Sequence, residues 1–171
     1  IITNDKALAF SEQGDVKISS QGNITLNGSI LTIATTTPQI AGTVTLSAKS
    51  SITVNSGITS GMADGGDSIY LFADNSSVTL NSGLVTPGNI RVEAQTDIAL
   101  NSYLDVRLAS SQLVIAGAIL LFADDGKIDG DGPIALASID NAPFGGLRFD
   151  AGTTIKARPY LPSYSGFGID L

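Results

Sequence analysis

Apolar residues alternate with polar ones in short runs along this chain, and the runs recur. Anchors at Val16, Val44, Ile69, Ile90, Ile119 and Leu147 stand 28, 25, 21, 29 and 28 residues apart. Two positions after each comes a second apolar residue: Ile18, Leu46, Leu71, Val92, Leu121 and Phe149. Such alternation puts both side chains on one face of a strand. Four positions after each anchor stands a small residue, Ser20, Ala48, Ala73, Ala94, Ala123 or Ala151, which predicts a crowded corner.

A second strand is predicted to open at Ile24, Ile52, Val78, Ile98, Ile128 and Ile155, with Leu26, Val54, Leu80 and Leu100 two places further on. Gly130 and Ala157 interrupt that last column. The spacing from anchor to second strand lengthens by one residue where the chain reads Leu71-Phe72-Ala73-Asp74 and Leu121-Phe122-Ala123-Asp124. One added corner residue accounts for both. A third apolar column, Ile30, Ile58, Leu84, Leu104 and Ile134, closes a three-sided coil. The connection back to the next anchor varies most in length, so the variable loops belong on that side.

A repeat of about 26 residues with one apolar face cannot bury that face alone, and stacking equivalent units solves the problem. The expected fold is all-β: a right-handed parallel β-helix (β-solenoid) of about six coils, with three strands per coil. Six coils at about 4.8 Å each give a rod roughly 29 Å long. The handedness follows from the strong preference of parallel crossovers. An antiparallel sandwich also spaces short strands between turns, but matched residue columns in successive coils favour same-direction stacking. Residues 14–157 read as the solenoid and 1–13 as an N-terminal pairing or capping segment. Residues 158–171, with Pro159, Tyr160, Pro162 and Tyr164, read as an irregular C-terminal arm or cap.

Directly after the second strand stand Asn27, Asn55, Asn81 and Asn101, one per coil. Side-chain amides stacked at the coil spacing can hydrogen-bond to one another and satisfy a turning backbone, so these four are expected to form an asparagine ladder. Independent turn-forming Asn residues are the plainer alternative. Asp131 takes the fifth place and Arg158 the sixth, where the ladder should end.

Composition narrows the function. Nine Lys and Arg against 16 Asp and Glu give a formal charge of -7, which offers little to neutralise nucleic acid phosphates. The absence of Cys removes disulfides and thiolate metal sites. No run approaches the roughly 18 apolar residues of a membrane span. Ile1 to Phe10 lacks the basic start and apolar middle of a signal peptide, so any export signal is expected to have been removed or to lie outside this chain.

The absence of His removes the commonest general base and metal ligand, leaving carboxylates as the main catalytic option. Asp124, Asp125, Asp129 and Asp131, among Gly126, Gly130 and Gly132, are the densest acidic cluster and the candidate calcium ligands. They lack the spacing and terminal Glu of an EF-hand, and solvated turn aspartates are the plainer reading. No other cofactor is expected. Asp64 and Asp67, in a glycine-rich segment, are a second candidate oxygen-donor pair, with a simple turn the plainer reading. An outward row, Lys17, Thr45, Tyr70, Arg91, Leu120 and Arg148, offers Tyr70 and Arg91 to a glycan or is simply a solvated sheet face.

The phrases Gly66-Asp67-Ser68-Ile69-Tyr70-Leu71, Ser51-Ile52-Thr53-Val54-Asn55-Ser56-Gly57-Ile58 and Gly88-Asn89-Ile90-Arg91-Val92 resemble the repeats of filamentous-haemagglutinin-type exoproteins exported by two-partner secretion. That resemblance covers about Gly14 to Ala157 and implies a β-helix, secreted or on the bacterial cell surface, used in adhesion, aggregation or biofilm structure. The amino-terminal secretion signature of the family's export domain is not found in the sequence. The expected function is non-enzymatic: an extracellular structural or adhesive β-helix whose partners are host or cell-surface glycan or protein. The alternative is a self-assembling filament subunit stacked head-to-tail, and a polysaccharide-active enzyme is a third reading.

Overall fold

The structure is a computed structural model that describes residues 9–10, 14–32, 42–61, 67–106, 118–130, 134–135, 147–151, 155–156, 159–160 and 169–170. Of these, 9–10, 67 and the residues from 134 onward are described by their backbone alone. All regular structure among the described residues is strand, and it forms a parallel β-solenoid of three sheets. Among them, no helix is long and apolar enough to cross a membrane.

Sheet I stacks Val16–Ser20, Val44–Ala48, Asp67–Ala73, Asn89–Ala94, Ile119–Ala123, Leu147–Ala151 and Ile169–Asp170. Sheet II stacks Ile24–Leu26, Ile52–Val54, Val78–Leu80, Ile98–Leu100, Ile128–Asp129 and Ile155–Lys156. Sheet III runs through Ala9–Phe10, Ile30–Thr32, Ile58–Ser60, Leu84–Val85, Leu104–Asp105, Ile134–Ala135 and Pro159–Tyr160. The turns whose three strands are described with their side chains begin at Val16, Val44, Ile69 and Ile90, fewer than the six coils expected from the sequence. Beyond them the backbone pairing is described for short stretches only, because the connecting segments lie outside the described residues.

Register follows the columns: Val44 pairs with Ile69, Ile69 with Ile90 and Ile90 with Ile119. From the second coil on the inward columns are fully buried, among them Leu46, Leu71, Val92 and Leu121 in sheet I and Ile52, Val78 and Ile98 in sheet II, while Ile18 of the first coil is partly buried. Each such side chain contributes about 1.5 to 3 kcal/mol on burial. The strand-end alanines Ala48, Ala73, Ala94 and Ala123 are also buried, as the crowded corner requires.

Four buried hydroxyls break the apolar rule. Thr32, Ser60 and Thr86 close the third side, two residues after Ile30, Ile58 and Leu84, and Ser68 precedes an anchor. Thr32 and Ser60 both donate to the Gly42 carbonyl, at 2.7 and 3.0 Å, and the Thr86 hydroxyl accepts the Gly88 N–H at 3.1 Å. The desolvation cost of these three hydroxyls is thus offset by a bond at a corner where the backbone turns. Ser68 is the extra residue of a β-bulge: Asp67 pairs with Asn89 and Ile69 with Ile90, leaving it unopposed.

Gly130 explains why the Leu26, Val54, Leu80 and Leu100 column ends. Its φ is +148°, and a Cβ there would lie 1.9 Å from the Leu100 carbonyl oxygen. Only glycine fits so close an approach. The preceding strand is correspondingly short, Ile128–Asp129.

The C-terminal segment, which reads as an irregular arm, supplies two short strands. Pro159–Tyr160 pairs in parallel with Ile134–Ala135, and Ile169 and Asp170 pair with Leu147 and Arg148. At the other end, Ala9 and Phe10 pair with Ile30 and Leu31. Pro159 opens the strand at the end of sheet III, and a proline is tolerated at the first residue of an edge strand.

Candidate functional site

The corner after sheet II carries a continuous chain of side-chain amides. Asn55 Nδ2 donates to Asn27 Oδ1 at 2.9 Å, Asn81 Nδ2 to Asn55 Oδ1 at 2.9 Å, and Asn101 Nδ2 to Asn81 Oδ1 at 2.8 Å. Every donor points to the preceding coil, so the ladder has a direction. The four residues are solvent-exposed, which makes the ladder a surface feature. Asp131, the fifth place, lies outside the described residues.

A second set of inter-coil bonds was not anticipated. Asp15 accepts the Thr43 backbone N–H at 3.0 Å, Asn23 that of Ser51 at 3.2 Å, Asn89 that of Ala118 at 2.8 Å and Asp97 that of Lys127 at 3.0 Å. All four acceptors stand one residue ahead of an anchor or second-strand position, Val16, Ile24, Ile90 or Ile98, and reach the equivalent position one coil on. Asp or Asn immediately before an anchor or second-strand position was the available signal.

The acidic cluster does not assemble in the part that is described. Asp125 accepts a 2.6 Å bond from Gln95, and Asp129 pairs with Lys127 at 3.2 Å. Asp124 is exposed. Among the described residues no group of three or more His, Cys, Asp and Glu converges on a point where a metal could sit. Asp64 lies outside the described residues, and Asp67 is described by its backbone alone.

The outward face of sheet I holds the densest chemistry. Register places Tyr70, Arg91 and Leu120 in one row and Phe72, Glu93 and Phe122 in the next. The Arg91 guanidinium lies 5.5 Å from the Tyr70 ring centre and 5.6 Å from that of Phe122, within cation–π range of both. Arg91 also pairs with Glu93, whose other oxygen accepts the Tyr70 hydroxyl at 3.0 Å. Tyr70 and Phe72 stack with centres 6.3 Å apart and an interplanar angle of 24°.

Beside this cluster runs an open groove of about 340 Å³. Phe72, Glu93 and Phe122 line it on the sheet side, Gln95 and Asp124 at the corner. Its size falls near the lower end of the roughly 300–1,000 Å³ typical of small-ligand sites. Tyr70 and Arg91 were legible as an outward pair, but Phe72, Glu93 and Phe122 were missed as a site. The signal was the Leu-Phe-Ala-Asp phrase at 71–74 and 121–124, which puts two phenylalanines at one register with a single coil between them.

Comparison with protein-family models finds no match, and comparisons with curated proteins and with solved structures find none either. The functional argument therefore rests on the solenoid and its surface chemistry.

Proposed function

We propose that this chain is a non-enzymatic, secreted or cell-surface β-helix of structural or adhesive function, built as a right-handed solenoid of six coils. The observation that carries the reading is the continuity of inter-coil bonding: three parallel sheets plus the Asn27–Asn101 ladder join successive coils on every side. A rod so connected is stiff, and each coil presents side chains at fixed spacing, which suits repeated contact with an extended surface. The resemblance of its repeats to filamentous-haemagglutinin-type exoproteins supports the same reading. Engagement of Asp125 with Gln95 and of Asp129 with Lys127 favours a structural over a catalytic role for these aspartates.

The test is adhesion. Beads coated with the purified chain are expected to be retained on bacterial lawns or host-cell layers more strongly than beads coated with an unrelated protein of similar charge. Equal retention would remove the adhesive reading. Head-to-tail assembly is the second reading, favoured by the parallel pairing of Ala9–Phe10 with Ile30–Leu31 at one end of sheet III, since an outermost parallel strand presents open hydrogen-bonding groups. Electron microscopy across a concentration series separates the two: fibres with a repeat near about 4.8 Å mark assembly, and discrete short rods exclude it.

A further inference from the structure

We infer that the groove beside Tyr70, Phe72, Arg91, Glu93 and Phe122 binds an uncharged glycan laid along the solenoid axis. This rests on the adhesive reading and names the chemistry of its contact. Its first support is that the fold does not require these side chains. At the same register one and two coils earlier stand Thr45 and Lys17 in the first row, and Ser47 and Ser19 in the second, and the sheet forms equally well there. Three partly exposed aromatic rings on an outward face that carries Lys17, Ser19, Thr45 and Ser47 in the two coils before them call for a reason outside the core.

The second support is the match between the groove and a sugar. A pyranose has apolar C–H faces and a rim of hydroxyls. The negative face of an aromatic ring attracts polarised C–H groups, and Phe72 and Phe122 supply two such rings. Glu93, Gln95 and Asp124 supply acceptors and an amide donor for hydroxyls along the same groove. Phe72 and Phe122 are two strand spacings apart, roughly 9.6 Å, so the groove spans more than one sugar ring. The bonds linking Tyr70, Arg91 and Glu93 hold the site in one arrangement before any ligand arrives, which lowers the ordering cost of binding.

Charge selects the class of glycan. All four Lys and Arg residues whose side chains are described, Lys17, Lys49, Arg91 and Lys127, are already paired with a carboxylate. The chain as a whole carries -7. Among the described residues lining the groove, Arg91 is the one cation and it stands with Asp74, Glu93 and Asp124, so a sulfated or uronic polysaccharide would meet net negative charge there, whereas a neutral one meets no repulsion.

The experiment is native affinity electrophoresis of the full chain through gels containing glucomannan, xyloglucan, laminarin or starch, with alginate and heparin in parallel. Retardation by at least one neutral polysaccharide is expected, and neither acidic one should retard the chain more strongly. Tyr70→Thr and Phe72→Ser place at these positions the residue types already found at the same register, so both variants should still fold, with unfolding temperatures within a few degrees of the parent's. Each is expected to weaken retardation about tenfold. No retardation by any neutral polysaccharide, retardation by the acidic ones alone, or undiminished binding by both folded variants would overturn the inference. Retention of coated beads on cells without neutral-glycan binding would remove this ligand and leave the adhesive reading standing; glycan binding without retention would do the reverse.

Discussion

Asn81 donates its side-chain amide to Asn55 Oδ1 at 2.9 Å, and both residues are exposed to solvent. Asn81 also accepts from Asn101 at 2.8 Å, so it joins the coils on either side of it. Water can replace part of each bond in the variant. Asn81→Ala is therefore expected to cost about 1 kcal/mol in urea unfolding, below the cost of a buried amide. Asn81→Asp should cost more at neutral pH than in acid, because a carboxylate cannot donate to Asn55. No change in either variant would show that the ladder contributes nothing.

Glycine positions separate into tolerant and intolerant. Gly130→Ala combines a left-handed backbone with a Cβ 1.9 Å from the Leu100 carbonyl oxygen, and should destabilise by more than about 2 kcal/mol. A Cβ on Gly22 would meet nothing closer than 4.0 Å, so Gly22→Ala should stay within about 0.5 kcal/mol of the parent. Thermal unfolding followed by circular dichroism measures both.

Leu71 is fully buried between Leu46 and Val92 in the second column of sheet I. Leu71→Ala is expected to cost about 2 to 5 kcal/mol through lost burial and an unfilled cavity. Thr79→Ala, on the outward face of the neighbouring sheet, should cost well under 1 kcal/mol. Similar costs at the two sites would contradict the inward and outward assignment.

Asp15 sets an acid dependence. The Thr43 backbone N–H, then the Thr43 hydroxyl at 2.8 Å, outweigh its slight desolvation, and with the nearby Lys17 charge they hold its carboxyl below the ordinary aspartate range. A carboxyl lowered on folding contributes stability that is complete above its unfolded pKa and lost as pH falls through the folded value. Asp15 is exposed, so the contribution is modest. Asp15→Asn keeps an acceptor that does not titrate, and its stability should fall less than the parent's between about pH 5 and about pH 2. Identical acid profiles would remove Asp15 as a contributor.

Much of the solenoid was legible because its physics is periodic. Val44, Ile69 and Ile90 share a register in the structure and a column in the sequence, since parallel stacking requires equivalent positions to bury equivalent side chains. The extra residue at 74–76 and again at 124–126 was readable for the same reason: an insertion at a corner leaves both strands in phase. The C-terminal strands were not readable. Pro159–Tyr160 and Ile169–Asp170 are two residues each, too short to show alternation, and only a preformed sheet edge gives them partners.

The candidate site divides along the same line. Which positions face inward could be read from the chain alone, because an apolar column recurs in successive coils and needs only strand alternation to be seen. That Tyr70, Phe72, Arg91, Glu93 and Phe122 form one cluster became visible once the coils were stacked. Outward side chains are under no periodic constraint, and their meeting depends on coil-to-coil register and ring orientation across strands 21 to 29 residues apart, with the Arg91–Glu93 pair on the middle strand.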